Sequence, residues 1–444
     1  MVETDRISAE PTKSFFVGML VRDIPLEQAI LDLVDNCVDG AKRLRQSEDF
    51  SDLSVDIKFD GNEFSIVDNC GGFSRKIARD YAFRFGRPSD AKRTPHSIGQ
   101  FGVGMKRALF KFGDLFTVES SNGTDHWYVS VDVPEWEENK DWHFEWADLA
   151  NSSNPILEGE VGTRIFVRNL HSEVAQKFKT WVFHNLIVET LKTKHRQFIS
   201  SGLSIRVNGE SVVAKDISFI MSSNEIEPAV DSFKLNINGS MIKVRILCGI
   251  SDSSPSRAGW YVICNGRVVL DADRSKKTGW GELEEGKNKV IIPSFHNQFA
   301  RFRGVVMFDA QNSAIVPWNT TKDGVDYDNP AWVAAFERMV EMSRTVIDFL
   351  NELDADVDEH TRDHSVMYQH VEKSDRVSLE RISRRRAVLK VPTRQDFAGQ
   401  VVTMKIQYSK PKEEVEYLKE ELGVKSGVAV GEQTFDMILR QFRG

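Results

Sequence analysis

From Leu26 to Leu44 the apolar side chains fall at Leu26, Ala29, Ile30, Leu33, Val34, Cys37, Ala41 and Leu44. One stripe of an α-helix satisfies that spacing and a strand does not. Pro25 stands just ahead, where the first helical turn tolerates a residue without an N–H. A polar stripe runs beside the apolar one: Asp32 and Asn36 are four apart, as are Asp35 and Asp39. Asp32 and Asn36 can therefore reach one ligand together. Taken alone, these acids are read more readily as a solvated helix face than as a site, and the segments downstream change that balance.

Next along the chain comes a hairpin pattern. Leu53, Val55, Ile57 and Phe59 alternate with polar residues, Asp60-Gly61 makes the turn, and Phe64-Ser65-Ile66-Val67 resumes. The second strand delivers Asp68 at its end, in Asp68-Asn69-Cys70-Gly71-Gly72-Phe73. Two glycines let backbone approach a flat ligand closely, and an ionised Asp accepts a hydrogen bond from an amino group such as that of adenine. An ordinary Asp-Asn turn is the simpler alternative. After a basic, irregular stretch over residues 73–97, Gly99-Gln100-Phe101-Gly102-Val103-Gly104 leads straight into a helix beginning Met105-Lys106-Arg107-Ala108 and running to Phe112. Glycine-freed amides and a helix N-terminus together favour phosphate, and Lys106 would add a charge.

With 444 residues the chain is too long for one core. Further strand patterns occur at 116–119, 127–131 (joined to the previous one through Asn122-Gly123) and 163–167, then a basic helical segment over 174–199. Strand-like runs return at 203–207, 233–238, 242–248, 260–264 and 304–308, which predicts a second α+β domain. A helix is predicted over 331–353, and a polar linker or long exposed helix over 354–386, carrying the basic cluster Arg381, Arg384, Arg385 and Arg386. The tail reads as a strand over 401–408, a helix over 412–422 stopped by Gly423, and a last helix to Phe442. Expected boundaries are 1–200, 201–330, 331–390 and 391–444.

An apolar share of 41% and a charged share of 28% are those of a globular protein, and no run approaches a membrane span. No secretory or import leader is evident, so a cytoplasmic location is expected. Cys37, Cys70, Cys248 and Cys264 form no CxxC pair, which argues against a zinc site or a disulfide framework. The net charge of −8 gives no global attraction to nucleic acid.

The helix with Asp32 and Asn36, the Asp68 segment and the glycine loop occur in an order that resembles the GHKL superfamily. Its members include DNA gyrase B, the ninety-kilodalton heat-shock chaperones, histidine kinases, MutL and MORC ATPases. Gly162-Thr163-Arg164-Ile165 resembles the fourth motif of that family. The resemblance covers roughly residues 15–200, and Ser97 to Lys106 is most similar to the chaperone and MORC branches. It implies a Bergerat-type α/β sandwich, with Asn36 as Mg²⁺ ligand, Asp68 as adenine reader and Thr163 as its support. Gly99 to Gly104 would hold the phosphates of ATP under a lid over residues 73–98. Asp32 falls where hydrolysing members carry a water-activating glutamate. Being one methylene shorter, it predicts slow hydrolysis. Cys70 also departs from the family's usual glycine. Trp260 to Arg267 and Pro317 to Lys322 resemble the S5-like α+β transducer domain of dimeric members, with Lys322 as the lysine that reaches the γ-phosphate.

The tail order of strand, helix, helix also resembles a ribbon-helix-helix dimer, and a C-terminal cap is the alternative. Expected partners are ATP, Mg²⁺ and a second copy of the chain. Beyond these stand two readings: a clamp on duplex DNA, or a partner-gating, chaperone-like ATPase of a bacterial system, even a defence system, with a separately encoded effector protein. A sensor kinase fits least well.

Overall fold

A computed structural model describes residues 12–47, 49–84, 95–99, 104–223, 225–281, 292–360, 365–393 and 406–443. The chain divides into two compact units, Met1–Glu352 with Val371–Pro392, and Leu353–His370 with Thr393–Gly444.

The first unit contains two large sheets. In the first, strands β1 (Ser54–Phe59), β2 (Phe64–Asp68), β3 (Gly113–Ser121), β4 (His126–Asp132), β5 (Trp146–Ala147), β6 (Gly162–Leu170), β7 (Ser204–Val207) and β8 (Glu210–Ser211) lie in the order β5-β4-β3-β6-β2-β1-β7-β8. The hairpin expected from period-two alternation is present, with Ile57 opposite Ile66 and Phe59 opposite Phe64. The Leu26–Leu44 helix covers this sheet, with Ala29, Ile30, Val34, Val38 and Ala41 wholly buried. Removing so many aliphatic groups from water stabilises the layer by about 1.5–3 kcal/mol per large side chain. The Gly104–Phe112 helix packs beside it, and Phe64 and Phe112 meet with ring centroids 4.6 Å apart.

Strand β7 joins this first sheet, although its position after the helices at 172–200 suggests the second domain. It pairs in parallel with β1, Val55 opposite Ile205 and Ile57 opposite Val207. Ile205 and Val207 extend the apolar face that β1 presents, while on the other face Arg206 holds Asp56 at 2.7 Å. Sheet membership depends on a partner about 150 positions away, which local alternation does not encode.

The second sheet contains β10 (Ala229–Ile237), β11 (Ser240–Ile250), β12 (Gly259–Cys264), β13 (Arg267–Asp273) and β14 (Phe302–Ala310), in the order β10-β11-β14-β12-β13. Strands β12 and β14 run parallel, and every residue of β12 is buried. The Pro330–His360 helix covers one face, where Trp260 donates to Ser343 at 3.2 Å. The other face is closed by β9 (Ser218–Met221), which pairs with β15 (Asp375–Ser378). Residues 375–390 are therefore not a linker. Leu379 and Ile382 are buried with Phe219, Leu247 and Val305, and Ala387 bridges to Val230. The polar composition of that segment masks two anchors set three apart.

In the second unit, the Lys412–Leu422 helix ends at Gly423 in the left-handed conformation, and the Gly427–Arg443 helix follows. Of the expected tail strand, residues 401–405 lie outside the described residues, and Ile406 to Tyr408 carry no strand pairing.

Candidate functional site

A cavity of about 560 Å³ opens between the Leu26–Leu44 helix, the end of β2, β6 and the start of the Gly104–Phe112 helix. The helix contributes Asp32, Asn36 and Asp39, and the sheet contributes Asp68 and Thr163. Gly72, Gly99, Gly104 and Lys106 complete one wall, and Thr320 and Lys322 reach in from the loop after β14. Of the residues singled out in the sequence, Gln100, Phe101, Gly102 and Val103 lie outside the described residues, as do residues 85–94 of the expected lid. Asp32, Asn36, Asp68, Gly72, Gly99, Gly104, Lys106, Thr163 and Lys322 all line this one cavity.

At one end, Asp68 is opposite Thr163 across β2 and β6. Its carboxylate accepts from the Cys70 amide at 2.8 Å and from the Cys37 thiol at 3.3 Å. Burial pushes its pKa up to about 6, against the pull of the Cys70 and Cys37 hydrogen bonds and of Arg43. Burial also pushes the Cys37 thiol well above its usual range, next to the Asp68 charge, so this cysteine acts as a donor and not as a thiolate. Thr163 shares a 3.1 Å hydrogen bond with Ser120, whose hydroxyl also receives the Phe73 amide at 3.0 Å. Gly72 has φ +56°, and a Cβ there would stand 2.1 Å from the Ser121 carbonyl oxygen. The second glycine is thus set by a close backbone approach as well as by handedness.

At the other end Asp32 is buried, with Arg107 at 3.0 Å, Gln28 at 3.2 Å and Lys322 at 3.5 Å. Asn36, one turn on, is exposed and lines the cavity. It presents a hard amide oxygen, suited to a cation that takes one or two protein ligands and fills its shell with phosphate and water. Gly104 begins its helix so close to Asp32 that a Cβ would lie 3.1 Å from the carboxyl group.

Two expectations about this wall change. The Gly99 amide is turned to Asp39, at 2.7 Å, and so is the Ile98 amide at 2.7 Å. The start of the glycine loop is thus pinned to the helix by a buried carboxylate whose pKa burial raises, against Lys42 and those two amides. Lys106 is buried and donates to the Ala82 carbonyl at 2.6 Å, with its pKa lowered to about 7 by burial. It ties the helix to the helical turns over residues 75–82, and Arg107 is the cation of this helix that meets Asp32.

In the sequence Asp35 is only one member of the polar stripe, yet it is fully buried at the centre of a charged cluster. His195 lies at 3.0 Å, Lys322 at 2.7 Å, and the Arg267 guanidinium contacts both carboxylate oxygens. Burial works against its charge, but Arg267, Lys322 and His195 outweigh that and hold the pKa well below the usual range. No local signal links these four residues, because three of them lie 160 or more positions from Asp35.

Residues 24–163 match the family described as Histidine kinase-, DNA gyrase B-, and HSP90-like ATPase. No curated protein matches the chain. Among the described residues no helix is long and apolar enough to cross a membrane. The matched segment spans the helix of Asp32 and Asn36, the Asp68 strand, the glycine loop and the start of β6, so residues 24–163 carry a domain of that ATPase family, within the GHKL superfamily.

Proposed function

We propose that this chain binds ATP with Mg²⁺ in the cavity, hydrolyses it slowly, and uses the nucleotide as a switch between its first sheet and its second. The observation that carries this reading is the convergence of Asp32, Asn36, Asp68, Gly72, Thr163 and Lys322, spread over 290 positions, on one cavity. Asp68, ionised above about pH 6, accepts from the adenine amino group, and Gly72 lets the ring approach the backbone. The triphosphate lies toward the N-terminus of the Gly104–Phe112 helix, where partial positive charge gathers. Asn36 holds Mg²⁺, which when bound shields phosphate charge.

Asp32 takes the proton from a water that attacks the γ-phosphorus. The bond from that phosphorus to the β,γ-bridging oxygen breaks so that ADP leaves with its electron pair, and Lys322 stabilises the negative charge on the oxygens of the transferred phosphoryl group. In the structure Asp32 already engages Arg107, Gln28 and Lys322, so its oxygens are occupied until the phosphates draw the cations away. That competition, together with the short side chain, makes hydrolysis slow.

Lys322 and Arg267 belong to the second sheet and its following loop, so nucleotide occupancy acts directly on that domain. A homodimeric clamp on duplex DNA is the partner reading we favour. Arg381, Arg384, Arg385 and Arg386 support it, since all four are exposed on a turn anchored by buried Leu379 and Ile382. The test is steady-state ATP hydrolysis by the wild type and Asp32→Ala, with and without duplex DNA at low salt. Turnover lost in the variant and raised by DNA is expected. Turnover that Asp32→Ala retains refutes the mechanism, and turnover indifferent to DNA replaces the clamp with a separately encoded effector protein.

A further inference from the structure

Lys322 sits where a loop lysine is costly to keep. Its backbone is left-handed, with φ +55°, and its side chain is buried. A Cβ crowds the following carbonyl in that conformation, so other contacts must hold the residue there. Its amide donates to the Asn319 carbonyl at 3.1 Å, and Asn319 in turn receives the Gly324 amide. These bonds shape the loop but do not direct the ammonium group.

The ammonium is directed by Asp35. It lies 2.7 Å from Asp35 and 3.5 Å from Asp32, so Asp35 makes the closer contact and Asp32 the longer one. The two carboxylates differ in what else they do. Asp32 faces the cavity, whereas Asp35 is fully buried beneath it. Asp35 is itself fixed from two other elements: His195, between the helices ending at Lys194 and starting at Arg196, and Arg267, the first residue of β13. Both partners are wholly buried, and among the described residues Asp35 alone accepts from the Arg267 guanidinium.

From this geometry we infer that Asp35 is a positioning residue for ATP hydrolysis: it tethers the Lys322 ammonium at the cavity wall, so that arriving γ-phosphate displaces Lys322 from Asp32 but not from Asp35. This role rests on the function proposed above. It gives the buried acid a task distinct from that of Asp32, which meets the water, and of Asn36, which meets the cation. The tether keeps the lysine within reach when the nucleotide leaves, and it couples β13 and the loop after β14 to the same carboxylate. His195, its pKa lowered by burial despite the pull of Asp35, orients the acid as a neutral donor.

The experiment is a double-mutant cycle on the full chain with Asp35→Asn, Lys322→Ala and the pair, measuring kcat, KM and ATP affinity. Asp35→Asn should lower kcat about 10-fold to 100-fold while ATP affinity changes less than about threefold. Added to Lys322→Ala it should cost nothing further, because Asp35 acts only through that lysine. A loss that multiplies in the double variant overturns the inference. If Lys322→Ala alone hydrolyses like the wild type, the role proposed for Lys322 fails instead, which keeps the two outcomes apart. Asp35→Asn strands the Arg267 charge, so the same cycle is run in Arg267→Met, where both buried charges are gone. Multiplicative loss in that background overturns the inference equally.

Discussion

Lowering the pH from 7 to 5 should weaken ATP binding about tenfold through Asp68 alone. Burial raises this carboxyl to about 6, and the Cys70 amide, the Cys37 thiol and Arg43 offset only part of that rise. The group is then about nine-tenths ionised at pH 7 and about one-tenth ionised at pH 5. An adenine amino group requires an acceptor, which the protonated form no longer offers fully. Unfolding cannot imitate the effect through this residue. Its folded pKa lies above the ordinary carboxyl value of 3.8, so the folded protein binds the extra proton first, and Asp68 favours the fold more as pH falls from about 6 toward 3.8. The assay is calorimetric titration with a non-hydrolysable ATP analogue at constant ionic strength. The triphosphate also takes up protons in this range, so the wild-type curve is read against Asp68→Asn. If both proteins show the same dependence on pH, the adenine role of Asp68 is refuted.

Three further outcomes are expected. Asn36→Ala should remove the Mg²⁺-dependent part of ATP affinity while Asp32→Ala binds normally, and equal affinities in the two variants, measured with and without EDTA, would contradict the division of roles. Gly72→Ala drives a Cβ to 2.1 Å from the Ser121 carbonyl in a left-handed backbone, a strain of about 1–3 kcal/mol that should lower the thermal midpoint by about 2–10 °C and raise KM for ATP. Replacing Arg384, Arg385 and Arg386 together by Ala should flatten the salt dependence of duplex DNA binding, by about 0.9 in log–log slope for each phosphate that no longer meets an arginine. An unchanged slope would move the DNA surface elsewhere.

The local elements of the site are legible in the sequence because each has a short-range cause. The helix over Leu26–Leu44 follows from apolar spacing, and it ends where expected. The hairpin follows from alternation about Asp60-Gly61, and Asp68 arrives at a strand end with its glycines three and four residues further on. The stop at Gly423 follows from the ease with which glycine adopts a left-handed backbone. Residues 354–386 show the limit of such patterns, since an abundance of charge conceals the buried side chains of Leu379 and Ile382.

Which charges meet is settled only when the layers assemble. Asp35 and Asp39 look equivalent on the helix, yet one carries His195, Arg267 and Lys322 while the other caps the Ile98 and Gly99 amides. Lys106 and Arg107 are adjacent, yet burial sends Lys106 to a backbone carbonyl and leaves Arg107 to Asp32. Strand β7 completes the first sheet from beyond the helices because β1 offers it an open parallel edge. Periodicity and glycine chemistry act over a few residues, and so the linear order of side chains is enough to set the helix, the hairpin and the ligand-facing residue types. The pairing of charges across 160 to 287 positions depends on which surfaces the folded layers bury together, and that is a property of the assembled fold alone.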